Sequence, residues 1–107
     1  MTSHYGLSVR FTLKDGAGEA FDQLVEETLT GIKASEPGTL VYVTHQVEGE
    51  PNQRIFYELY RDVDAFEAHE QQPHTRRFLA ERAQYIASIE VDRLTLLAGK
   101  GYEQNVQ

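Results

Sequence analysis

The spacing of apolar residues along the chain predicts alternating strands and amphipathic helices. Residues 7–13 alternate between apolar and polar side chains, which is typical of a strand with one buried face. Between Phe21 and Ile32 the apolar side chains recur every three or four residues, as in an amphipathic helix. Residues 35–38 include a proline and a glycine and are expected to end that helix.

Two further strands are predicted at Thr39–Val47 and Gln53–Arg61. The residues between them, 48–52, have the composition of a hairpin loop. Both segments carry apolar side chains on both faces, so a sheet that contains them needs cover on both sides.

A helical stretch that is broken in two is predicted next. Asp62 or Asp64 is expected to cap a short helix that runs to about Glu70. Pro73 interrupts the pattern, and a second helix is expected to run from just after it to about Ala87.

A final strand at residues 88–97 and a polar segment at residues 99–107 complete the chain. We expect a single domain over residues 1–107, with its core at about 5–98. The element order is β-α-β-β-α-β. This order is typical of an α+β ferredoxin-like fold, in which a four-stranded antiparallel sheet carries the helices on one face.

Helices on one face alone would leave the other apolar face of the sheet in contact with water. An exposed apolar patch of that size usually marks an interface. We therefore expect a homodimer in which sheet packs against sheet. The residues that would supply the patch are drawn from Val41, Val43, Val47, Ile55, Tyr57 and Leu59.

Composition and charge narrow the functional classes. The formal charge of −7 over 107 residues repels nucleic-acid phosphates and anionic lipid. The absence of cysteine excludes disulfides and thiolate sites. The basic cluster of Arg76, Arg77 and Arg82 is interpreted as solvated helix surface. Because there is no membrane-length apolar run and no signal-like start, we expect no membrane role and a cytoplasmic location.

Two histidines flank Pro73, but their spacing argues against a metal site. A zincin places two histidines one helical turn apart in the pattern H-E-x-x-H. His69 and His74 are separated by one residue more than that, and Pro73 interrupts the helix. We therefore expect no bound metal.

His69 is the strongest candidate for acid–base chemistry. Helical spacing places it on the same face as Phe66, directed toward the sheet. Glu58 shares a strand face with Phe56 and Tyr60, where a carboxylate needs a partner. We expect Glu58 to pair with His69 and to hold the imidazole as a base. The alternative is that His69 is a satisfied core histidine and that Glu58 reaches solvent at the sheet margin.

Aromatic residues of the same elements suit a flat ligand. Phe56, Tyr60, Phe66 and Phe78 are expected to wall a cavity between sheet and helices. The sequence contains no nucleophile elbow, complete dinucleotide fingerprint or phosphate-binding loop. The chemistry is therefore expected to depend on a base in an apolar cavity.

Four short motifs resemble those of the antibiotic biosynthesis monooxygenase domain family. Residues 36–42 match E-P-G-x-x-x-Y, and residues 58–62 match E-x-W-x-[DS] with Tyr60 at the tryptophan position. Residues 65–69 match A-[FL]-x-x-H, and residues 73–78 match P-H-x-x-x-[FY]. The order and spacing of the motifs agree with the family along nearly the whole chain.

The resemblance implies a dimeric α+β barrel with a substrate cavity in each subunit. It also implies oxidation of phenolic or hydroquinone substrates to quinones by O2, without metal or flavin. By position, His69 corresponds to the family's helix histidine and Glu58 to its strand carboxylate. The sequence contains no tryptophan, which argues against the haem-degrading branch and its Asn-Trp-His set.

Together these features predict a monooxygenase without a cofactor that acts with O2 on a small phenolic, quinol or polyketide-like substrate. His69 would be the base, Glu58 its orienting partner and Tyr60 a hydrogen-bond donor to the substrate. Tyr42 is expected to contact the substrate, and His74 either to lie at the cavity mouth or to cap the second helix. Two alternatives stay open, an isomerase or tautomerase with the same base and a non-catalytic ligand-binding or stress-associated protein.

Overall fold

The computed structural model describes residues 3–103, so the end of the predicted polar segment, from residue 104 onward, lies outside the described residues. The elements in chain order are β1 (Tyr5–Leu13), α1 (Gly18–Ser35), β2 (Thr39–Gln46), β3 (Gln53–Tyr60), α2 (Val63–Gln71), α3 (Pro73–Glu81) and β4 (Ile86–Leu94). A 3-10 turn at Arg82–Gln84 joins α3 to β4. Within the described part of the chain, no helix has both the length and the hydropathy that crossing a membrane requires.

The four strands form one antiparallel sheet in the order β2-β3-β1-β4. With the helices packed on the buried face of β1, this is the predicted α+β ferredoxin-like fold. The register aligns Tyr42, Glu58, Leu7 and Arg93 in one row across the sheet. Residues that pair directly in antiparallel strands share a face, so all four side chains lie on the side of the helices.

Aromatic rings form the centre of the core between sheet and helices. The ring of Phe11 in β1 lies 4.7 Å from that of Phe56 in β3 and 5.3 Å from that of Phe21 in α1. Phe78 of α3 completes the cluster, and all four side chains are buried. The apolar faces predicted for β1 and α1 therefore pack against each other.

Asp62 marks the start of α2, and Pro73 marks the break between α2 and α3, as predicted. The Asp62 carboxylate accepts a hydrogen bond from the backbone amide of Ala65 at 2.8 Å and caps α2. Gln72 is extended, and Pro73 occupies the first turn of α3, where a helix needs no amide hydrogen from it.

The end of α3 differs from the expectation. The helix was predicted to run to about Ala87, but it ends at Glu81, and β4 already begins at Ile86. Ile86 pairs with Leu13 at the end of β1. An apolar residue at this position fits either a helical stripe or a strand, and pairing with β1 decides in favour of the strand. The strand also ends earlier than predicted, at Leu94.

Two apolar regions of the sheet remain exposed. On the face opposite the helices, Val43 of β2 is 43% exposed beside its pairing partner Tyr57. On the helix side, Val91 and Ile89 of β4 are 55% and 38% exposed. The helical layer therefore leaves the β4 edge of the sheet uncovered.

Candidate functional site

A cavity of about 280 Å³ lies between the sheet and the helices α2 and α3. Leu7 and Val9 of β1 contribute to its floor, and its rim includes the exposed β4 edge. Most of the lining is apolar. The charged and titratable side chains that border it include Glu58, His69, Glu70, Arg82 and Arg93. An apolar cavity with a few polar groups is typical of a small-molecule site.

The predicted aromatic wall is present in part. Tyr42, Phe66 and Phe78 border the cavity. Phe56 does not, because it is buried one layer behind the wall, where its ring lies 5.9 Å from that of Tyr42 and 6.3 Å from that of Phe78. Phe56 supports the wall and does not contribute to its surface.

His69 of α2 borders the cavity and is hydrogen-bonded through Nδ1. Its side chain is 7% exposed, and Nδ1 lies 2.7 Å from Oε1 of Glu36. Because an ionised carboxylate can only accept, His69 donates through Nδ1. In the neutral imidazole Nε2 then keeps a lone pair, and among residues 3–103 it has no hydrogen-bond partner. Nε2 is thus available as a base for a molecule in the cavity.

Glu36 is the centre of this polar cluster. It lies in the turn after α1, and its side chain is 3% exposed. It accepts hydrogen bonds from His69, from Oγ1 of Thr39 at 2.6 Å and from Nε2 of His74. Burial alone raises the pKa of Glu36, but the hydrogen bonds it receives outweigh burial and leave the pKa below its ordinary value. The carboxylate therefore stays ionised at neutral pH.

Glu58 is buried, but its partner is Tyr60 and not His69. The Tyr60 hydroxyl donates to Oε1 of Glu58 at 2.6 Å. The predicted Glu58–His69 hydrogen bond is wrong for a physical reason. Glu58 and Tyr60 are neighbours on one face of β3, so the carboxyl is satisfied within its own strand, while Glu36 reaches His69 from the α1–β2 turn. Burial raises the pKa of Glu58 above its ordinary value, although the Tyr60 hydrogen bond opposes the shift.

Tyr60 lies behind the cavity and not on its surface. Its side chain is fully buried, and its ring centroid is 5.2 Å from that of His69. The expectation that Tyr60 donates to a substrate is wrong, because Glu58 already accepts its one hydroxyl proton. The ring instead supports the imidazole of His69.

His74 was expected either to lie at the cavity mouth or to cap α3, and it does neither. The helix has no side-chain cap, and Nε2 of His74 is bonded to Glu36. Its ring packs on Gly31 of α1, where no space remains for a β-carbon. His74 thus connects the first turn of α3 with α1. No group of three metal-ligating side chains occurs among residues 3–103, and His69 and His74 share one carboxylate.

Glu36 was not predicted as the partner of His69. The two residues are 33 positions apart, and no local periodicity connects a turn residue with a helix residue at that distance. The motif at residues 36–42 was the only signal that contained Glu36.

Two cavity arginines were also missed. Arg82, interpreted as solvated helix surface, lies with its guanidinium carbon 5.8 Å from the ring centre of Phe11 and 5.6 Å from that of Phe78. Burial lowers its pKa. Arg93 of β4 lies 3.6 Å above the ring of Tyr5. Their positions depend on where α3 ends and β4 begins, and the sequence placed that boundary incorrectly.

Comparisons with known proteins agree with this architecture. The model of the antibiotic biosynthesis monooxygenase family matches residues 5–81. A solved structure from Pseudomonas aeruginosa is 26% identical over 92% of this chain and 98% of that chain, with a TM-score of 0.82. A candidate antibiotic biosynthesis monooxygenase from Chloroflexus aurantiacus is 24% identical over 94% of this chain and 100% of that chain, with a TM-score of 0.82.

Another candidate antibiotic biosynthesis monooxygenase, from Bacteroides thetaiotaomicron, is 20% identical over 96% of this chain and 97% of that chain, with a TM-score of 0.86. No curated protein matches the sequence. The family match runs from the first strand to the end of α3 and includes every residue of the Glu36 cluster. This chain belongs to the antibiotic biosynthesis monooxygenase family.

Proposed function

We propose that this protein is a cofactor-independent monooxygenase that oxidises a phenolic, quinol or polyketide-like aromatic substrate with O2. The observation that carries the proposal is the hydrogen-bonded pair of His69 and Glu36 at the wall of a mostly apolar cavity. Such a pair supplies a base with a defined tautomer at a mostly apolar surface that can hold an aromatic ring.

His69 starts the reaction when Nε2 accepts the proton of a substrate hydroxyl. Its Nδ1–H stays bonded to Glu36, whose negative charge stabilises the imidazolium that forms. The electron-rich phenolate transfers an electron to O2, and the two radicals combine at a ring carbon that carries hydrogen. The peroxide that forms takes the proton back from His69 and loses water, which leaves the second carbonyl of the quinone. In balance, one phenol and one O2 give one quinone and one water, so the substrate itself supplies the electrons.

Tyr42 takes the donor role that the sequence had assigned to Tyr60. Its ring centroid lies 5.7 Å from that of His69, and it borders the cavity. Burial raises the pKa of Tyr42 well above its ordinary value, so its hydroxyl keeps its proton. Among the residues that the structure describes it has no hydrogen-bond acceptor. It can therefore donate to the substrate oxygen beside His69.

We also propose that two chains form a homodimer through the sheet face that the helices leave open. Val43 and Tyr57 lie side by side on this face, and Val43 is 43% exposed. An apolar strand face that no other element covers is an exposed apolar patch, and such patches usually mark protein interfaces.

Oxygen uptake tests the proposed activity. The purified protein is given a series of phenols and hydroquinones while O2 consumption and quinone absorbance are recorded. We expect His69→Ala to lower the rate by about 10²–10⁴-fold, the usual contribution of a general base. Glu67→Ala is the matched control, because Glu67 is an exposed residue of the same helix.

Circular dichroism verifies that the variants are folded. A folded His69→Ala variant with the wild-type rate would refute the role of His69 as the base. Turnover of a keto–enol substrate without O2 uptake would favour the isomerase alternative. Binding of aromatic ligands without any turnover would favour a non-catalytic protein.

A further inference from the structure

Glu58 presents an unused carboxyl oxygen to the cavity. The residue lies in β3 between Tyr42 of β2 and Leu7 of β1, and it borders the cavity although it is only 7% exposed. Its Oε1 accepts the hydrogen bond from Tyr60. Within residues 3–103 Oε2 has no hydrogen-bond partner, and no side-chain oxygen or nitrogen of these residues is completely enclosed without one. Oε2 is therefore accessible from the cavity.

This carboxyl and the proposed base lie beside the same two tyrosines. The ring centroid of His69 is 5.7 Å from that of Tyr42, and Tyr42 pairs directly with Glu58 in the sheet. The ring centroid of His69 is also 5.2 Å from that of Tyr60, whose hydroxyl is bonded to Glu58. His69 and Glu58 thus border the same part of the cavity, where both can contact one bound molecule.

The two buried carboxyl groups of the site have different surroundings. Glu36 accepts hydrogen bonds from three side chains and keeps its charge. Glu58 accepts one, from Tyr60, and burial raises its pKa and favours its neutral form. Where the surroundings shift two titratable groups in opposite directions, one supports base chemistry and the other suits an acid. Glu36 supports the base His69, and Glu58 is placed to be the acid.

The charged groups around Glu58 do not hold it as an anion. Arg82 and His69 attract the ionised form from a distance, but within the described part of the chain neither makes an ion pair with Glu58, and burial outweighs both. The charged and titratable side chains that border this cavity or act on Glu58 from each surrounding element are Tyr42 (β2), Tyr60 (β3), Glu36 (α1–β2 turn), His69 and Glu70 (α2), Arg82 (the turn after α3) and Arg93 (β4).

We propose that Glu58 is the general acid of the oxidation and donates its proton to the hydroxide that leaves when the O–O bond of the ring hydroperoxide breaks. This inference rests on the proposed function, because that reaction supplies the hydroperoxide. Hydroxide leaves poorly from a mostly apolar cavity, and a proton donor at the breaking bond removes that obstacle.

The step balances with the groups already in place. The electron pair of the C–H bond at the peroxide carbon becomes the second bond of the new carbonyl, and the proton goes to Nε2 of His69, which is neutral again at this stage. The O–O electron pair leaves with the hydroxide, which the proton of Glu58 converts to water. Transfer of a proton from His69 to Glu58 then restores both groups.

Single-turnover kinetics test the proposal, with the protein in excess over the phenol. The probe is the phenol that the wild type oxidises fastest in a series that includes 1-naphthol. In the wild type, O2 uptake and quinone absorbance should follow the same time course. In Glu58→Gln, O2 uptake should stay close to the wild-type rate, whereas the quinone should appear about 10²–10⁴-fold more slowly. An acid quench during this delay should recover the hydroperoxide.

Matched variants separate acid chemistry from structure. Glu58→Gln keeps an acceptor for the Tyr60 hydroxyl, and circular dichroism verifies that it is folded. Glu58→Asp retains an acid and should restore part of the rate of quinone formation. Glu67→Gln should leave both time courses unchanged, because Glu67 is exposed on α2 and lies outside the cavity lining.

Infrared spectra measure the protonation of Glu58 without turnover. At neutral pH the wild type should show the band of a protonated carboxyl, and Glu58→Gln should lack it. The absence of this band in the wild type would overturn the proposal.

The kinetic outcomes distinguish this inference from the proposed function. No O2 uptake by the wild type with any phenol would refute the proposed function and the role of Glu58 with it. Wild-type O2 uptake together with a folded Glu58→Gln variant in which quinone formation keeps pace with O2 uptake would refute the role of Glu58 alone. That result would hold whether both rates were unchanged or equally reduced, since an equal reduction places Glu58 before the O–O bond breaks.

Discussion

Nδ1 of His69 lies 2.7 Å from one carboxylate oxygen of Glu36, and the other oxygen accepts a hydrogen bond from His74. One ionised side chain at the end of α1 therefore holds the last turn of α2 and the first turn of α3. The same contact sets the tautomer of the proposed base. Changes at Glu36 are thus expected to affect both stability and activity.

Glu36→Gln should lower the oxidation rate by roughly 10²-fold, within the range of general-base contributions. The amide can still hydrogen-bond to His69, but it lacks the charge that stabilises the imidazolium. The pH–rate profile is recorded with the rate and should differ from that of the wild type, because a merely structural role of Glu36 would leave the profile unchanged. Glu67→Gln on the exposed face of α2 is the control. A folded Glu36→Gln variant with an unchanged rate and profile would exclude Glu36 as the positioning residue.

Glu36 should make the protein less stable in acid. Its folded-state pKa lies below the ordinary value of 4.5, so the unfolded chain binds the proton more readily. By linkage, the contribution of Glu36 is complete above the unfolded-state pKa and is lost as pH falls through the folded-state pKa. Urea unfolding at several pH values below about 5 should show a smaller loss for Glu36→Gln than for the wild type. Equal losses would contradict this prediction.

Glu58 should have the opposite effect on stability. Its folded-state pKa is raised, so its contribution is complete at low pH and is lost as pH rises through that pKa. Glu58→Gln keeps an acceptor for the Tyr60 hydroxyl and cannot ionise. We expect the free energy of unfolding of the variant to exceed that of the wild type at about pH 8 but not at about pH 4. A variant that is less stable at both pH values would show that the carboxyl is not a destabilising charge.

Gly31→Ala should destabilise the protein because a β-carbon would overlap the ring of His74. Overpacking typically costs about 1–3 kcal/mol, which exceeds the gain of up to about 1 kcal/mol from alanine in a helix. The test is a double-mutant cycle in urea. In a His74→Ala background the same substitution should be neutral or stabilising, since the ring is gone. Additive effects would mean that Gly31 and His74 are not in contact.

Val43→Glu should disrupt the proposed dimer, because it places a charge on the sheet face without helices. Analytical ultracentrifugation of the wild type at micromolar concentration should give about twice the chain mass of 12.2 kDa, and the variant should sediment near the monomer mass. Val63→Glu is the control, as Val63 is similarly exposed at 45% but lies at the start of α2. A monomeric wild type would refute the dimer, and a dimeric Val43→Glu would exclude this face.

Local physical chemistry made most of the fold predictable from the sequence. The strand predicted from the alternation in β1 and the helix predicted from the spacing in α1 were confirmed. When one face is buried, apolar residues recur every second residue in a strand and every three or four residues in a helix. The cap at Asp62 and the break at Pro73 were confirmed because both effects operate within a few residues. The burial of Glu58 and of His69 was also predictable, because each shares a face of its element with apolar residues.

Only the tertiary structure decided which polar groups meet. The carboxyl of Glu58 was expected to pair with His69, but it accepts a hydrogen bond from Tyr60 in its own strand, and His69 donates to Glu36 in a distant turn. The end of α3 depended on pairing between Ile86 and β1, which no helical or strand period encodes. Arg82 and Arg93 reached the cavity as a consequence of that boundary. Sequence periodicity specifies which face of an element is buried, whereas contacts between residues far apart in the chain depend on how the elements are assembled.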